Sequence, residues 1–174
     1  MSEPYIPKTF GSLPTMMAAK FADHEALVFE DRRLTFGEIA NNADRVAKGL
    51  MQIGVKPGDK VGIWLLNQPE WMDLMFAIAK VGAVLVPINT RFRTHDLEYI
   101  LTQSDCAFVI THDRSGPIDY LGMVREVVDL PTDGTAINDP QCPAMRGVAI
   151  LSDERHPGTI AWVDIIDGAN NIDD

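Results

Sequence analysis

Basic residues are in short supply: 15 Lys and Arg stand against 25 Asp and Glu, a formal charge of −10 over 174 residues. Nucleic acids and anionic lipid surfaces are bound through clustered cations, so this balance argues against either as a general partner. Cysteine is nearly absent. Cys106 and Cys142 form no C-x-x-C pair and have no histidine at metal-ligand spacing, which points to neither a disulfide framework nor a zinc site. Such usage suits a reducing cytosol. No apolar stretch reaches membrane-spanning length, because Asp73 and Lys80 interrupt the most hydrophobic region, and the N-terminus MSEPYIPKTF has no apolar signal core. The expectation is a soluble, cytoplasmic protein. Also missing are G-x-S-x-G, G-x-G-x-x-G and H-E-x-x-H. His24, His95, His112 and His156 are scattered, each beside an Asp or Pro where a solvated or capping role is the ordinary one.

What is present is apolar patterning, enough for one core in one domain. Val61 to Leu66 is apolar on both faces and too short for a helix, as a strand buried between two helical layers requires. A helix is expected from about Gln68, with Asn67 as its cap, Pro69 in its first turn and Glu70 complementing its positive end. Trp71, Leu74, Met75 and Ile78 mark its inner stripe, Asp73 and Lys80 fall outside it, and Gly82 suits a left-handed stop. Ala83 to Ile88 reads as the next strand. A strand, helix and strand in this order make a right-handed parallel crossover, so the fold class is α/β: a doubly wound, mainly parallel sheet with flanking helices.

The remaining chain extends that unit. Before it come a short helix around Pro14 to Phe21, capped by Ser12 and burying Met16, Met17 and Phe21, and a small hairpin from Ala26–Phe29 and Leu34–Phe36. Thr35-Phe36-Gly37-Glu38 is a capping box opening an amphipathic helix to about Ile53, which Gly54 and Val55 end in a Schellman stop. After it, Thr94 is expected to cap a helix bearing Leu97, Ile100 and Leu101. Ala107–Thr111 reads as a third buried strand, Pro117–Val128 as a weaker helix, and 129–146 as a Pro- and Gly-rich loop. Val148–Leu151 reads as a fourth strand, and Thr159–Ile166 as a short helix turning Trp162 and Ile166 inward. The tail from Gly168 is expected to be unanchored.

Two loops at strand carboxyl ends are candidate ligand sites, since open α/β sheets bind ligands there. His112-Asp113-Arg114 is one, with an ordinary polar loop as its competing reading. In Asn89-Thr90-Arg91-Phe92-Arg93-Thr94, two guanidinium groups precede a helix N-terminus and make a local anion site; the rival reading pairs Arg91 and Arg93 with Asp96 or Glu98. The residues alone leave both open.

Leu34-Thr35-Phe36-Gly37-Glu38-Ile39, Gly54-Val55-Lys56-Pro57-Gly58-Asp59-Lys60-Val61, Asn67-Gln68-Pro69-Glu70, Lys80 to Asn89 (KVGAVLVPIN) and Leu97-Glu98-Tyr99-Ile100-Leu101 stand in the order and spacing of the AMP-forming acyl-CoA synthetases. The chain resembles that adenylate-forming superfamily from about Phe21 to Ile166. The resemblance implies an enzyme that joins a carboxylic acid, a fatty acid foremost, to ATP with Mg²⁺, releases pyrophosphate and passes the acyl group to coenzyme A. It also implies that residues 1–174 are an N-terminal part of the adenylation (AMP-binding) domain with a small N-terminal hairpin. The family's S-G-T-T-G-x-P-K-G phosphate loop does not occur in these residues, nor does its small C-terminal domain. The isolated chain is therefore expected to be inactive, to hold no cofactor tightly, and to self-associate through a face left uncovered. One residue role carries over: Arg91 matches an arginine that holds a phosphate of coenzyme A in some members. The other function class is a self-standing flavodoxin-like binding module with its ligand near Asn67, Asn89 and His112.

Overall fold

The computed structural model describes residues 9–172. Its helices are α1 (Leu13–Phe21), α2 (Phe36–Gln52), α3 (Pro69–Val81), α4 (Thr94–Ser104), α5 (Tyr120–Val127) and α6 (Trp162–Gly168). Its strands are β1 (Glu25–Phe29), β2 (Arg32–Thr35), β3 (Lys60–Trp64), β4 (Val84–Pro87), β5 (Cys106–Thr111), β6 (Arg114–Ser115), β7 (Ile118–Asp119), β8 (Gly147–Ile150) and β9 (Ile160–Ala161). β4, β3, β5, β8 and β9 lie side by side in that order, parallel throughout. β1–β2 and β6–β7 are separate antiparallel hairpins.

The period-two pleat sends Val61, Ile63, Phe108, Ile110 and Ala149 to one face, under α2, α3 and α6. Trp64, Val109, Val148 and Ile150 face the other side, under α4 and α5. Helices on both faces explain why the central strands lack polar alternation: all six residues of β5 are buried. Fully burying a Leu or Ile contributes about 1.5–3 kcal/mol, so Leu50, Leu74, Ile78 and Ile165, each fully buried, hold the three-helix layer to the sheet.

α2 begins and ends as its sequence requires. The Glu38 N–H donates to Thr35 Oγ1 at 3.2 Å, and Glu38 Oε2 accepts the Thr35 N–H at 2.8 Å. At the far end Gly54 takes φ +95°, the Val55 N–H reaches Leu50 O at 2.9 Å, and Val55 is buried. Within α2, a Cβ on Gly49 would stand 2.0 Å from Ile165 O, so α6 rests directly on the α2 backbone and no other residue fits there.

Several local expectations need correction. Asp73 is buried at 5 % exposure, because α3 is covered on two sides rather than along one stripe. Lys80 also points inward, where Nζ meets Asp44 Oδ1 at 2.7 Å and Thr15 Oγ1 at 2.9 Å. Neither Ser12 nor Asn67 supplies a side-chain cap; Gln68 is the residue before α3 and makes no cap bond either. Thr94 is the first residue inside α4, and its hydroxyl donates to Glu126 at 2.8 Å. Phe21 stays 40 % exposed at the end of α1, against Phe36 at 6.2 Å. Pro117 lies in the β6–β7 turn, and α5 starts only at Tyr120, where Asp119 Oδ1 accepts the Gly122 N–H at 2.8 Å. In α6 the fully buried residue is Ile165, with Trp162 and Ile166 partly covered. The tail is anchored through a further turn, Ala169–Asn171, in which Ala169 is buried against α2. Residues 1–8 and the last two residues lie outside the described part.

Candidate functional site

The site is built where β4 runs out. The Ile88 N–H still pairs with Ile63 O at 2.9 Å, and Asn89 then turns the chain, its Oδ1 accepting the Arg91 N–H at 2.9 Å and its carbonyl the Phe92 N–H at 3.0 Å. Two aromatic side chains from other parts of the chain pin this loop. Trp64 Nε1 donates to Asn89 O at 2.9 Å, and the Tyr120 hydroxyl donates to Thr90 O at 3.3 Å. The two rings meet edge to face, centroids 4.7 Å apart and planes at 87°.

The two arginines have different employment. Arg93 turns its Nη1 back onto the carbonyls of Thr90, Arg91 and Phe92, at 3.4, 2.9 and 2.8 Å, while its N–H goes to Asp96 Oδ2 at 3.1 Å. A guanidinium accepts nothing, so this is half of a capping box, and Arg93 is consumed in shaping the loop. Arg91 is exposed, and its guanidinium makes no hydrogen bond or ion pair among the described residues. The rival pairing with Asp96 or Glu98 does not form at Arg91. Among the described residues the loop therefore presents one cation without a partner, on a backbone fixed from three directions.

The second candidate loop gathers differently from the sequence reading. His112 turns inward, with Nδ1 3.4 Å from Leu151 O and Nε2 without a partner among the described residues. Asp113 instead meets residues from the loop after β8: Ser152 Oγ donates to its Oδ2 at 2.9 Å, and His156 Nε2 lies 3.2 Å from the same oxygen. Burial works against the Asp113 charge, but hydrogen bonds from the Arg114 N–H, Ser152 and His156 outweigh it and hold the carboxyl below its ordinary range. These groups line an open cleft of about 580 Å³ with Arg114, Arg125 and Glu154. Ser, Asp and His here do not form a nucleophile–base relay, since the serine proton is given to the carboxylate rather than to the imidazole. Only tertiary folding brings 113, 152 and 156 together, and no spacing in the chain announces it.

The crevice between the carboxyl ends of β3 and β5, where a flavodoxin-like module would seat its ligand, is filled. Thr111 Oγ1 donates to Trp64 O at 3.0 Å, and Trp64, Ile88 and Tyr120 occupy the space, each at most 5 % exposed. No helix among the described residues is long and apolar enough to cross a membrane, and no cluster of three His, Cys, Asp or Glu could hold a metal ion.

Fold and loop together define a doubly wound parallel α/β domain that presents its free polar groups at the strand carboxyl ends. The chain belongs to the AMP-binding enzyme family, whose match runs over residues 15–163. The "Putative acyl-CoA synthetase YngI" of Bacillus subtilis (strain 168) is 33 % identical over 163 residues, covering 91 % of this chain and 30 % of its own. The mitochondrial medium-chain acyl-CoA ligase ACSF2 of Mus musculus is 30 % identical over 163 residues, 91 % of this chain and 26 % of that protein. The crystal structure of the anthranilate CoA ligase AuaEII in complex with anthranoyl-AMP superposes with a TM-score of 0.77 at 25 % identity, over 96 % of this chain and 30 % of that one. The chain thus spans under a third of the length of these relatives.

Proposed function

We propose that residues 1–174 are the N-terminal part of the adenylation domain of a cytoplasmic AMP-forming acid:CoA ligase, and that Arg91 holds a phosphate of coenzyme A. Family membership supports the reaction class, and the observation that carries the site is the Arg91 guanidinium, unpaired among the described residues, on a loop pinned by Trp64, Tyr120 and Arg93. In such a ligase a carboxylate oxygen attacks the α-phosphorus of ATP and pyrophosphate leaves; the thiol of coenzyme A then attacks the acyl carbon and AMP leaves. Arg91 takes part in neither bond change. Its contribution is to position the thiol substrate through a charge-assisted contact with phosphate. For ATP and Mg²⁺ the described residues offer no metal-binding cluster, and the chain has no S-G-T-T-G loop, so no residue of this chain is assigned to them.

A fatty acid is the proposed substrate, supported by the medium-chain acyl-CoA ligase among the relatives. The 174 residues alone are proposed to catalyse no acid-dependent ATP–pyrophosphate exchange. They are also proposed to self-associate through apolar surface such as Val84 on the sheet edge, 50 % exposed, which light scattering would detect.

The test is Arg91→Ala in the whole protein. Losing a charge-assisted contact raises the apparent KM for coenzyme A about ten- to a hundredfold and spares adenylate formation. If the contacted group is the 3′-phosphate, the variant also discriminates less between coenzyme A and dephospho-coenzyme A. Equal loss in both half-reactions, or in neither, removes Arg91 from the site.

A further inference from the structure

Two acids are buried among the described residues, and their situations are opposite. The Asp139 carboxylate accepts the N–H groups of Asp129, Gln141 and Cys142 at 2.8–3.1 Å. Asp73, equally deep, has no such saturation, and its Oδ1 accepts from no donor among the described residues. Burial, with Glu70 adding to it, pushes its carboxyl up to about 7, and the Asn42 amide and Arg32 guanidinium ease only part of that.

Asp73 lines a cleft of about 210 Å³ where α3 meets α2 and α6. Val46, Trp162 and Ile166 give it apolar walls. The two guanidinium groups at its edge are already engaged. Arg32 Nη1 is 2.7 Å from Glu70 Oε1, while Arg45 donates through Nε to Ile166 O at 3.3 Å and has Nη2 3.9 Å from Asp167 Oδ1. An acceptor short of donors therefore sits beside an aromatic ring and aliphatic surface, with the nearby positive charges committed elsewhere.

We propose that this cleft is a binding site for a primary alkylammonium group, carried by a small free amine or by a lysine side chain, with the Asp73 carboxylate as its anchor. The ammonium brings three donors, its methylene stem matches Val46 and Ile166, and the Trp162 ring suits a neighbouring cation. At roughly 30 Å³ for each water-sized group, the volume accommodates a butylammonium ion. The carboxylate that takes up a proton near neutrality is the one the ammonium needs, so proton and ammonium compete. The other charged groups around it are Glu70 on α3, Arg45 on α2, Arg32 on the hairpin and Asp167 on α6 behind Arg45.

The experiment is an NMR titration of the ¹⁵N-labelled 174-residue chain with butylammonium chloride, followed at the Trp162 indole and the Asn42 side-chain amide. Butanol and tetramethylammonium chloride at matched ionic strength are the controls. Saturable shifts are expected with butylammonium at about pH 8, weakened about tenfold or more at about pH 5.5 and absent with butanol. Asp73→Asn keeps the shape, removes the charge and weakens binding about tenfold or more, with the rest of the spectrum unchanged as evidence of the fold. Binding of Nα-acetyl-lysinamide at comparable affinity assigns a lysine side chain as the natural occupant; binding of butylammonium alone assigns a free amine. Absence of saturable shifts with either amine, or equal shifts in Asp73→Asn, overturns the site. In the unsubstituted chain the pH dependence of binding decides the same point without any variant. No arm reads ligase activity, so its failure leaves the coenzyme A reading standing.

Discussion

The indole N–H of Trp64, the last residue of β3, donates to Asn89 O at 2.9 Å, across the gap between one strand's end and the loop that follows its neighbour. A fully buried side chain of the sheet thereby sets the backbone from which Arg91 projects.

Trp64→Phe keeps an aromatic ring against Tyr120 but removes the donor and leaves a small cavity. It is expected to lower stability by about 2–3 kcal/mol and to speed amide exchange across 89–93. Tyr120→Phe, whose hydroxyl makes a longer bond of 3.3 Å, should cost under about 1 kcal/mol. Urea titration and hydrogen exchange would measure both, and an unchanged 89–93 segment in Trp64→Phe would disconnect the indole from the loop.

Asp73 makes stability depend on pH with a definite sign. Its folded carboxyl titrates at about 7 against an ordinary 3.8, so the folded state keeps a proton that the unfolded chain releases. Stability is highest below the ordinary value, falls as pH rises from about 4 to about 7, and is level beyond. Asp73→Asn removes the ionisable group, so the variant should gain on the unsubstituted chain across that window, by on the order of 2–4 kcal/mol at its top. Denaturation midpoints across the pH range would show this; a gap independent of pH would contradict it.

Asp139 makes the reverse case. The Asp129 N–H holds its carboxyl below the ordinary range against the opposing effect of burial, and the Gln141 and Cys142 N–H groups add to the lowering. Its contribution is present above the ordinary carboxyl range and is lost as pH falls through the depressed folded value. Asp139→Asn replaces one acceptor oxygen by a donor facing backbone N–H groups, at a cost of about 1–3 kcal/mol. Limited proteolysis should then cut between 129 and 146 more readily; equal resistance would show that other contacts hold that loop.

The sheet and α2 are legible in the sequence because their signals are local. A six-residue apolar run, a Thr-x-x-Glu box and a glycine followed by valine each state a backbone requirement within one or two turns. Helix starts fall a residue or two away from the expected caps at Asn67 and Thr94, where polar residues crowd and more than one could cap. The two-residue strands β6 and β7 are too short to carry a pattern at all. Asp73 escapes a local reading for a different reason: its surroundings come partly from α6, about ninety residues later in the chain. The candidate site divides the same way. Arg91 is proposed from its motif alone, whereas the indole and phenol that fix its loop, and the meeting of Asp113 with Ser152 and His156, exist only once distant segments are packed.

The strand order has a consequence for how the chain assembles. β3 lies between β4 and β5, so the chain completes one crossover and then returns past its own starting strand before Thr111 can find Trp64, 47 residues away. Loop-closure entropy favours nearer partners, which places β3, α3 and β4 early and the docking of β9 and α6 late. Until α6 arrives, Asp73 stands in water and ionises freely. The cost of burying it therefore falls on the final step, and the closing of the molecule slows as the pH rises from about 4 to about 7 while the central crossover forms unaffected.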